Sequence, residues 1–184
     1  MKKVLIGISG GIAAYKAATV VSKLTQAGHD VRVVMTENAT RFVTPLTFAA
    51  LTRQKVLTSV FPSEISGDKD VIYPHLYPAT EADLFIVLPA SANVIAKLSH
   101  GIGDDVLTTG ALSLRADCDR YFCPAMNSQM WEQPVVQDNV AKLRQYGWQQ
   151  IGPNEGLMAC GDTGAGRMSE PEQILEVIFK ALEK

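Results

Sequence analysis

Several short segments carry groups suited to chemistry. The run Gly7-Ile8-Ser9-Gly10-Gly11-Ile12 lets a phosphate or a flat ring approach the backbone, and a following helix offers free N–H groups to an anion. The same glycines equally serve a tight turn. The run is neither G-x-G-x-x-G nor a phosphate-binding loop ending in Gly-Lys-Ser/Thr. Glu37 follows a second apolar run, where a ribose-binding acid would sit, so a dinucleotide site is one reading. Ser91 and Asn93 follow another apolar run, and either caps a helix or reaches a ligand. Met126, Met130 and Trp131 have the spacing of a core face, but Asn127 among them needs a buried partner or an exposed role. Cys160 lies in the glycine frame 159–168, a setting that suits a reactive thiol as well as a packed one. His75, in the irregular stretch Tyr73–Pro78, is an acid or base by residue type. His29 and His100 each adjoin a glycine and read as surface or hydrogen-bonded residues. The sequence shows no paired carboxylates of glycosidase or protease spacing, no G-x-S-x-G elbow and no metal-ligand spacing.

These groups need elements to position them. Val4–Ile8 reads as a buried strand. A helix follows with Ala17, Val20, Val21 and Leu24 on one face and Gly28 as its stop, and Val31–Met35 is a second strand. The pattern predicts a short helix over Pro45–Leu51 and irregular chain from Phe61 to Tyr73. It then predicts a strand over Leu84–Leu88 closed by Pro89, and helices from Ser91 and from Asp104-Asp105. Tyr121–Cys123 reads as a strand halted by Pro124, Val135–Tyr146 as a helix and Gln149–Ile151 as the last strand. Gly152–Arg167 reads as a long glycine-rich loop. The closing helix has Ser169 as N-cap, Glu172 three residues on, and Ile174, Val177, Ile178 and Leu182 on one face. Alternating strands and helices imply an α/β fold: one doubly wound parallel sheet, Rossmann-like, as a single domain over 1–184. Ligands then bind beyond the carboxyl ends of the strands, where the chemistry-bearing segments fall.

Composition narrows the function classes. The chain is 47% hydrophobic and 20% charged with a net charge of -2, which excludes wholesale disorder and gives no electrostatic footprint for nucleic acid. No apolar run reaches the ~18 residues of a membrane span. Met1-Lys2-Lys3 ahead of an apolar stretch and Ala13-Ala14 has the outline of a secretory leader. The glycines within it and the helical pattern beyond it favour a first strand, and with that a cytoplasmic protein. Three cysteines, Cys118, Cys123 and Cys160, are an odd set without C-x-x-C spacing, which argues against a disulfide framework.

Taken in order, GISGGIAAYK, Met35-Thr36-Glu37, His75 ahead of Ala82-Asp83, PASAN at 89–93, PAMNSQMW at 124–131 and ACGDTGAGRM at 159–168 resemble the flavin-dependent cysteine decarboxylases. The match spans essentially the whole chain. The resemblance implies a lyase that binds FMN, with Ser9, Gly10, Gly11 and Ile12 on the phosphate and ribityl side, together with Thr36. Ser91, Ala92 and Asn93 would contribute at a helix N-terminus and Ala125 at the ring. It implies His75 as acid/base near the substrate thiol, Asn127 on the substrate carboxylate or amide, Met130 shaping the pocket, and Cys160 as final proton donor.

The nearest branch implied acts in coenzyme A biosynthesis, on 4′-phosphopantothenoylcysteine. Transient thiol oxidation, loss of carbon dioxide and re-reduction would give 4′-phosphopantetheine. The alternative branch, the oxidative peptidyl-cysteine decarboxylases, stops at the oxidised enethiol and needs no such donor. A noncatalytic flavin-binding regulatory subunit is the reading from another class, and an NAD-dependent dehydrogenase is an unrelated fallback. Flavin prenyltransferases share the glycine turn but lack the other motifs. The family implies a homotrimer or dodecamer with the flavin between subunits. The chain's length implies a stand-alone form, with a separate polypeptide as the synthase that supplies its substrate. Lys97 and Arg167 are the cations considered, without assignment, for the substrate phosphate.

Overall fold

The computed structural model describes residues 1–61, 72–157, 161 and 163–183. Five parallel strands form one sheet: β1 (Lys3–Ile8), β2 (Asp30–Met35), β3 (Leu84–Ala90), β4 (Asp119–Pro124) and β5 (Gln149–Gln150), in the order β2-β1-β3-β4-β5. The register sets Gly7 of β1 between Val34 and Val87. The doubly wound expectation therefore holds.

Side chains alternate across the sheet and divide the core in two. Val4, Ile6 and Ile8, with Leu84, Ile86 and Leu88, face α1 (Ala14–Gln26), α3 (Pro45–Thr52) and the closing helix α8 (Pro171–Leu182). Leu5, Phe85, Val87 and Phe122 face α4 (Ala92–His100), α5 (Val106–Leu112) and α7 (Pro134–Gln145). Every residue of β3 is buried, because helices cover both faces. Trp148 sets its edge against Phe85 at 5.8 Å and Phe122 at 6.4 Å, closing the second layer. Burial of each such ring contributes roughly 1.5–3 kcal/mol.

The helix starts follow local chemistry. Asp105 caps α5 by accepting from Thr108 N–H at 2.8 Å, with the reciprocal bond completing a capping box, while neighbouring Asp104 pairs with Lys97 at 2.7 Å. Ser91 caps α4 as expected, accepting from Val94 N–H at 3.3 Å.

Several expectations need correction. Pro89 does not end its strand, since β3 runs on to Ala90 through a register shift, whereas β4 stops at Pro124 as expected, with the proline as its last residue. Two four-residue helices went unread, α2 (Glu37–Thr40) and α6 (Ser128–Trp131), since one turn is too short to show a period. The segment read as a glycine loop holds an antiparallel hairpin, β6 (Asn154–Leu157) with β7 (Thr163–Arg167), so β5 is not the last strand. Its glycines adopt extended backbone at positive φ, 148° at Gly156 and 139° at Gly166, which hides a strand from side-chain alternation. The N-cap of α8 is Glu170, not Ser169. Pro171 fits the first helical position, and Gln173 supplies the capping-box partner. Ser169 is buried and donates to Asn154 Oδ1 at 3.2 Å. Val177 is exposed, and Ala181 takes its place on the buried face.

Candidate active site

The order 2-1-3-4-5 reverses direction between β1 and β3, and sheets of this order hold mononucleotides beyond the carboxyl ends of those strands. A cleft of about 630 Å³ opens there. From the turn after β1 come Gly10, Gly11 and Ile12. Ser91 and Ala92 enter at the start of α4. From beyond β4 come Ala125, Asn127 and Met130. Residues far apart in sequence and chosen from it are thus brought to one wall-to-wall site.

The glycines of the turn do different work. A Cβ on Gly10 would stand 2.6 Å from the Cβ of Asn38, so Gly10 is what lets α2 pack against the turn. A Cβ on Gly11 would meet only Pro89 Cγ at 3.9 Å, and Gly11 has no positive φ. Nothing among the described residues requires glycine there; the space its missing side chain leaves belongs to the cleft. A cleft of this volume, with a glycine cradle and exposed apolar Ile12, Tyr15, Met130 and Leu157, fits a flat aromatic group bearing a polar tail.

Three predicted cofactor residues stand behind or beside this wall. Ser9 is buried; its Oγ donates to the Pro89 carbonyl at 2.8 Å and accepts from Ser91 N–H at 3.0 Å, tying the end of β1 to the end of β3. Thr36 caps α2 by accepting from Ala39 N–H at 3.2 Å. Asn93 is exposed in the first turn of α4. Glu37 opens α2 on the surface.

Asn127 caps α6 through Oδ1, which accepts from Gln129 N–H at 2.9 Å and fixes the amide at the cleft. Met126 N–H donates to the Gly166 carbonyl at 2.9 Å, so the hairpin is docked on the same segment. A Cβ at Gly166 would stand 2.4 Å from the Met126 carbonyl oxygen. Met126 and Trp131 pack against the core, whereas Met130 is exposed at the cleft, which divides the apparent core face.

His75 does not line the cleft of its own chain. It lies half-buried in the 74–78 turn, its carbonyl 3.8 Å from where a Gly110 Cβ would stand in α5. Its Nδ1 is buried and has no hydrogen-bond partner among the described residues. Cys160 lies outside the described residues. Cys118 and Cys123 are buried free thiols; burial pushes Cys118 up to about 11 and Cys123 up as well, so neither offers a thiolate. His100 Nδ1 lies 2.9 Å from the Ala96 carbonyl, a local contact in line with the sequence reading.

Sequence reasoning missed Lys16, Leu157 and Met168, which also line the cleft, and left Arg167 unassigned. Lys16 is buried and hydrogen-bonded to Glu170 at 3.0 Å; that bond holds the Glu170 carboxyl below the usual range. Lys97 lies elsewhere, in a second cavity of about 410 Å³. No group of three metal-ligating side chains occurs among the described residues, and none of their helices is long and apolar enough to cross a membrane.

A doubly wound sheet with a glycine-floored cleft at its switch point defines a mononucleotide- or flavin-binding protein. The sequence matches the Flavoprotein family over residues 1–183, and the chain belongs to that family. It is 48% identical over 179 residues to the coenzyme A biosynthesis bifunctional protein CoaBC of Bacillus subtilis, covering 97% of this chain but 43% of that one. The chain therefore spans less than half the length of that relative. It is 41% identical over 181 residues to a protein of Streptococcus mutans named a probable phosphopantothenoylcysteine decarboxylase, covering 98% of this chain and 99% of that one. Among solved structures, a cysteine-to-serine variant of PPC decarboxylase complexed with pantothenoylaminoethenethiol superposes with a TM-score of 0.89 at 26% identity, covering 100% and 99% of the two chains. The FMN-dependent cysteine decarboxylase SpaF gives 0.81 at 30% identity, covering 99% and 98%.

Proposed function

We propose that this chain is an FMN-dependent lyase that decarboxylates 4′-phosphopantothenoylcysteine to 4′-phosphopantetheine in coenzyme A biosynthesis, with residues 1–184 acting as one flavin-binding decarboxylase domain. The observation that carries this reading is the single cleft at the β1/β3 switch point. It unites Gly11, Ser91, Ala125, Asn127 and Met130 in a chain alike over nearly its whole length to a probable enzyme of that name.

FMN, when bound, supplies the two-electron oxidation and the return of hydride that no side chain can provide. The protein's part is binding, orientation and proton transfer. Gly10, Gly11, Ile12, Ser91, Ala92 and Ala125 hold the flavin, with Asn93 at the helix start. Ser9 acts from below by fixing the two strand ends, and Thr36 by fixing α2. Asn127, set by its cap bond, holds the substrate carboxylate or amide, and Met130 shapes the pocket. His75 takes the thiol proton, and Cys160 returns a proton in the last step.

His75 stands away from its own cleft, which fits a site completed between copies of the chain in a homotrimer or dodecamer. The substrate is supplied by a phosphopantothenoylcysteine synthase activity, and the setting is the cytoplasm. Purified protein is expected to be yellow, with an oxidised-flavin absorbance spectrum. Colourless protein that takes up no FMN would contradict the reading.

A further inference from the structure

Two cations, Lys16 and Arg167, line the cleft, and among the described residues no carboxylate does. Behind them Glu170 joins the pair. Its Oε2 lies 2.9 Å from Lys16 Nζ, and its Oε1 pairs with Arg167 Nη2. Glu170 is also held by the capping box of α8, so it cannot follow Arg167 elsewhere. The Lys16 side chain is 10% exposed and fixed; that of Arg167 is 44% exposed and reaches the cleft. One carboxylate between two cations leaves a surplus positive charge at the wall. The start of the 13-residue α1 adds to it, since Ile12 and Ala13 line the same cleft and α1 has neither a side-chain cap nor an acid in its first turn. The Arg167 guanidinium lies beside Gly156, where a Cβ would stand 3.3 Å from Nη1. Glu170 occupies only part of its five-donor fork.

We infer that Arg167, set by Glu170 and backed by Lys16, is the seat of a phosphate monoester in this cleft. The inference rests on the decarboxylase reading for its ligands, since FMN and 4′-phosphopantothenoylcysteine both end in that group. The substrate carboxylate is the wrong occupant. Its charge disappears as carbon dioxide leaves, so a cation paired with it would stabilise the ground state more than the transition state. A phosphate keeps its charge throughout, and the fork of an arginine matches its oxygens. The neutral amide of Asn127 suits the carboxylate.

The test compares Arg167→Met and Arg167→Lys with the unaltered protein on two ligand pairs. FMN and riboflavin are compared by quenching of flavin fluorescence, and 4′-phosphopantothenoylcysteine and pantothenoylcysteine by kcat/KM. The Met variant is expected to lose about 10–100-fold of the preference for the phosphorylated member of one pair, partly restored by Lys. Loss in the flavin pair assigns the cofactor's phosphate, and loss in the substrate pair assigns the substrate's. Equal weakening of both members of each pair, or no change in either preference, overturns the inference. If the unaltered protein binds FMN but turns over neither substrate, the decarboxylase reading fails, and the flavin pair alone decides the phosphate seat.

Discussion

Ser9 accepts a hydrogen bond from the backbone N–H of Ser91 at 3.0 Å, across 82 residues of sequence, while donating to the Pro89 carbonyl at 2.8 Å. One buried hydroxyl thus sets the distance between the two strand ends that frame the cleft. In Ser9→Ala the Ser91 N–H loses its acceptor and the Pro89 carbonyl keeps only the longer 3.4 Å bond from the Ser9 backbone N–H, at a cost of about 1–3 kcal/mol. Denaturant unfolding should show that loss, and flavin titration a weaker affinity for FMN. Unaltered affinity would mean that the strand ends are held by other contacts.

Glu170 gives a pH dependence with a definite sign. Its carboxyl titrates below its ordinary value of 4.5, chiefly through the hydrogen bond from Lys16. A depressed carboxyl contributes stability that is fully present above that ordinary value and is lost as pH falls through the folded value. Glu170→Gln should therefore lower Tm near neutral pH, by the equivalent of only about 0.5–1 kcal/mol, because the carboxylate is 37% exposed and solvent screens its pairs. The gap to the unaltered protein should close below pH 4.5. A gap independent of pH would assign the effect to packing.

Gly166→Ala places a methyl 2.4 Å from the Met126 carbonyl oxygen, at a φ of 139° that side chains rarely adopt. The hairpin must then lift from the Met126–Asn127 segment. Destabilisation beyond about 1 kcal/mol is expected, together with faster limited proteolysis within 154–167. Retained Tm and protease resistance would show that the docking bond is dispensable.

The proton-transfer roles proposed for His75 and Cys160 separate by half-reaction. Cys160→Ser should still release carbon dioxide once, then accumulate an oxidised thiol product with the flavin left reduced. His75→Asn should stop the first oxidation, so that substrate no longer bleaches the flavin. Full turnover by the serine variant, or normal bleaching by the asparagine variant, would remove the corresponding role.

The layer architecture was legible because buried parallel strands are continuous apolar runs, as in Leu84–Leu88, and α1 keeps Val20, Val21 and Leu24 in helical period. The cleft was legible because Gly10, Ser91 and Asn127 each follow such a run, and topology brings those ends together. The hairpin was not, since glycines at 156, 164 and 166 leave no alternating side chains to read. Nor was the ion triad. Lys16, Arg167 and Glu170 meet only after α1 and α8 pack on the same face, and no local spacing records that. Ser169 was chosen as a cap for its residue type, whereas the fixed φ of Pro171 selects Glu170.

The most direct test of the proposed decarboxylase is mass spectrometry of the products formed by the FMN-loaded protein from 4′-phosphopantothenoylcysteine, beside a cysteine-terminated peptide. The expected product is 4′-phosphopantetheine, lighter than the substrate by one carbon dioxide and otherwise unchanged. A product lighter by carbon dioxide and two further hydrogens, or turnover of the peptide alone, would contradict the account.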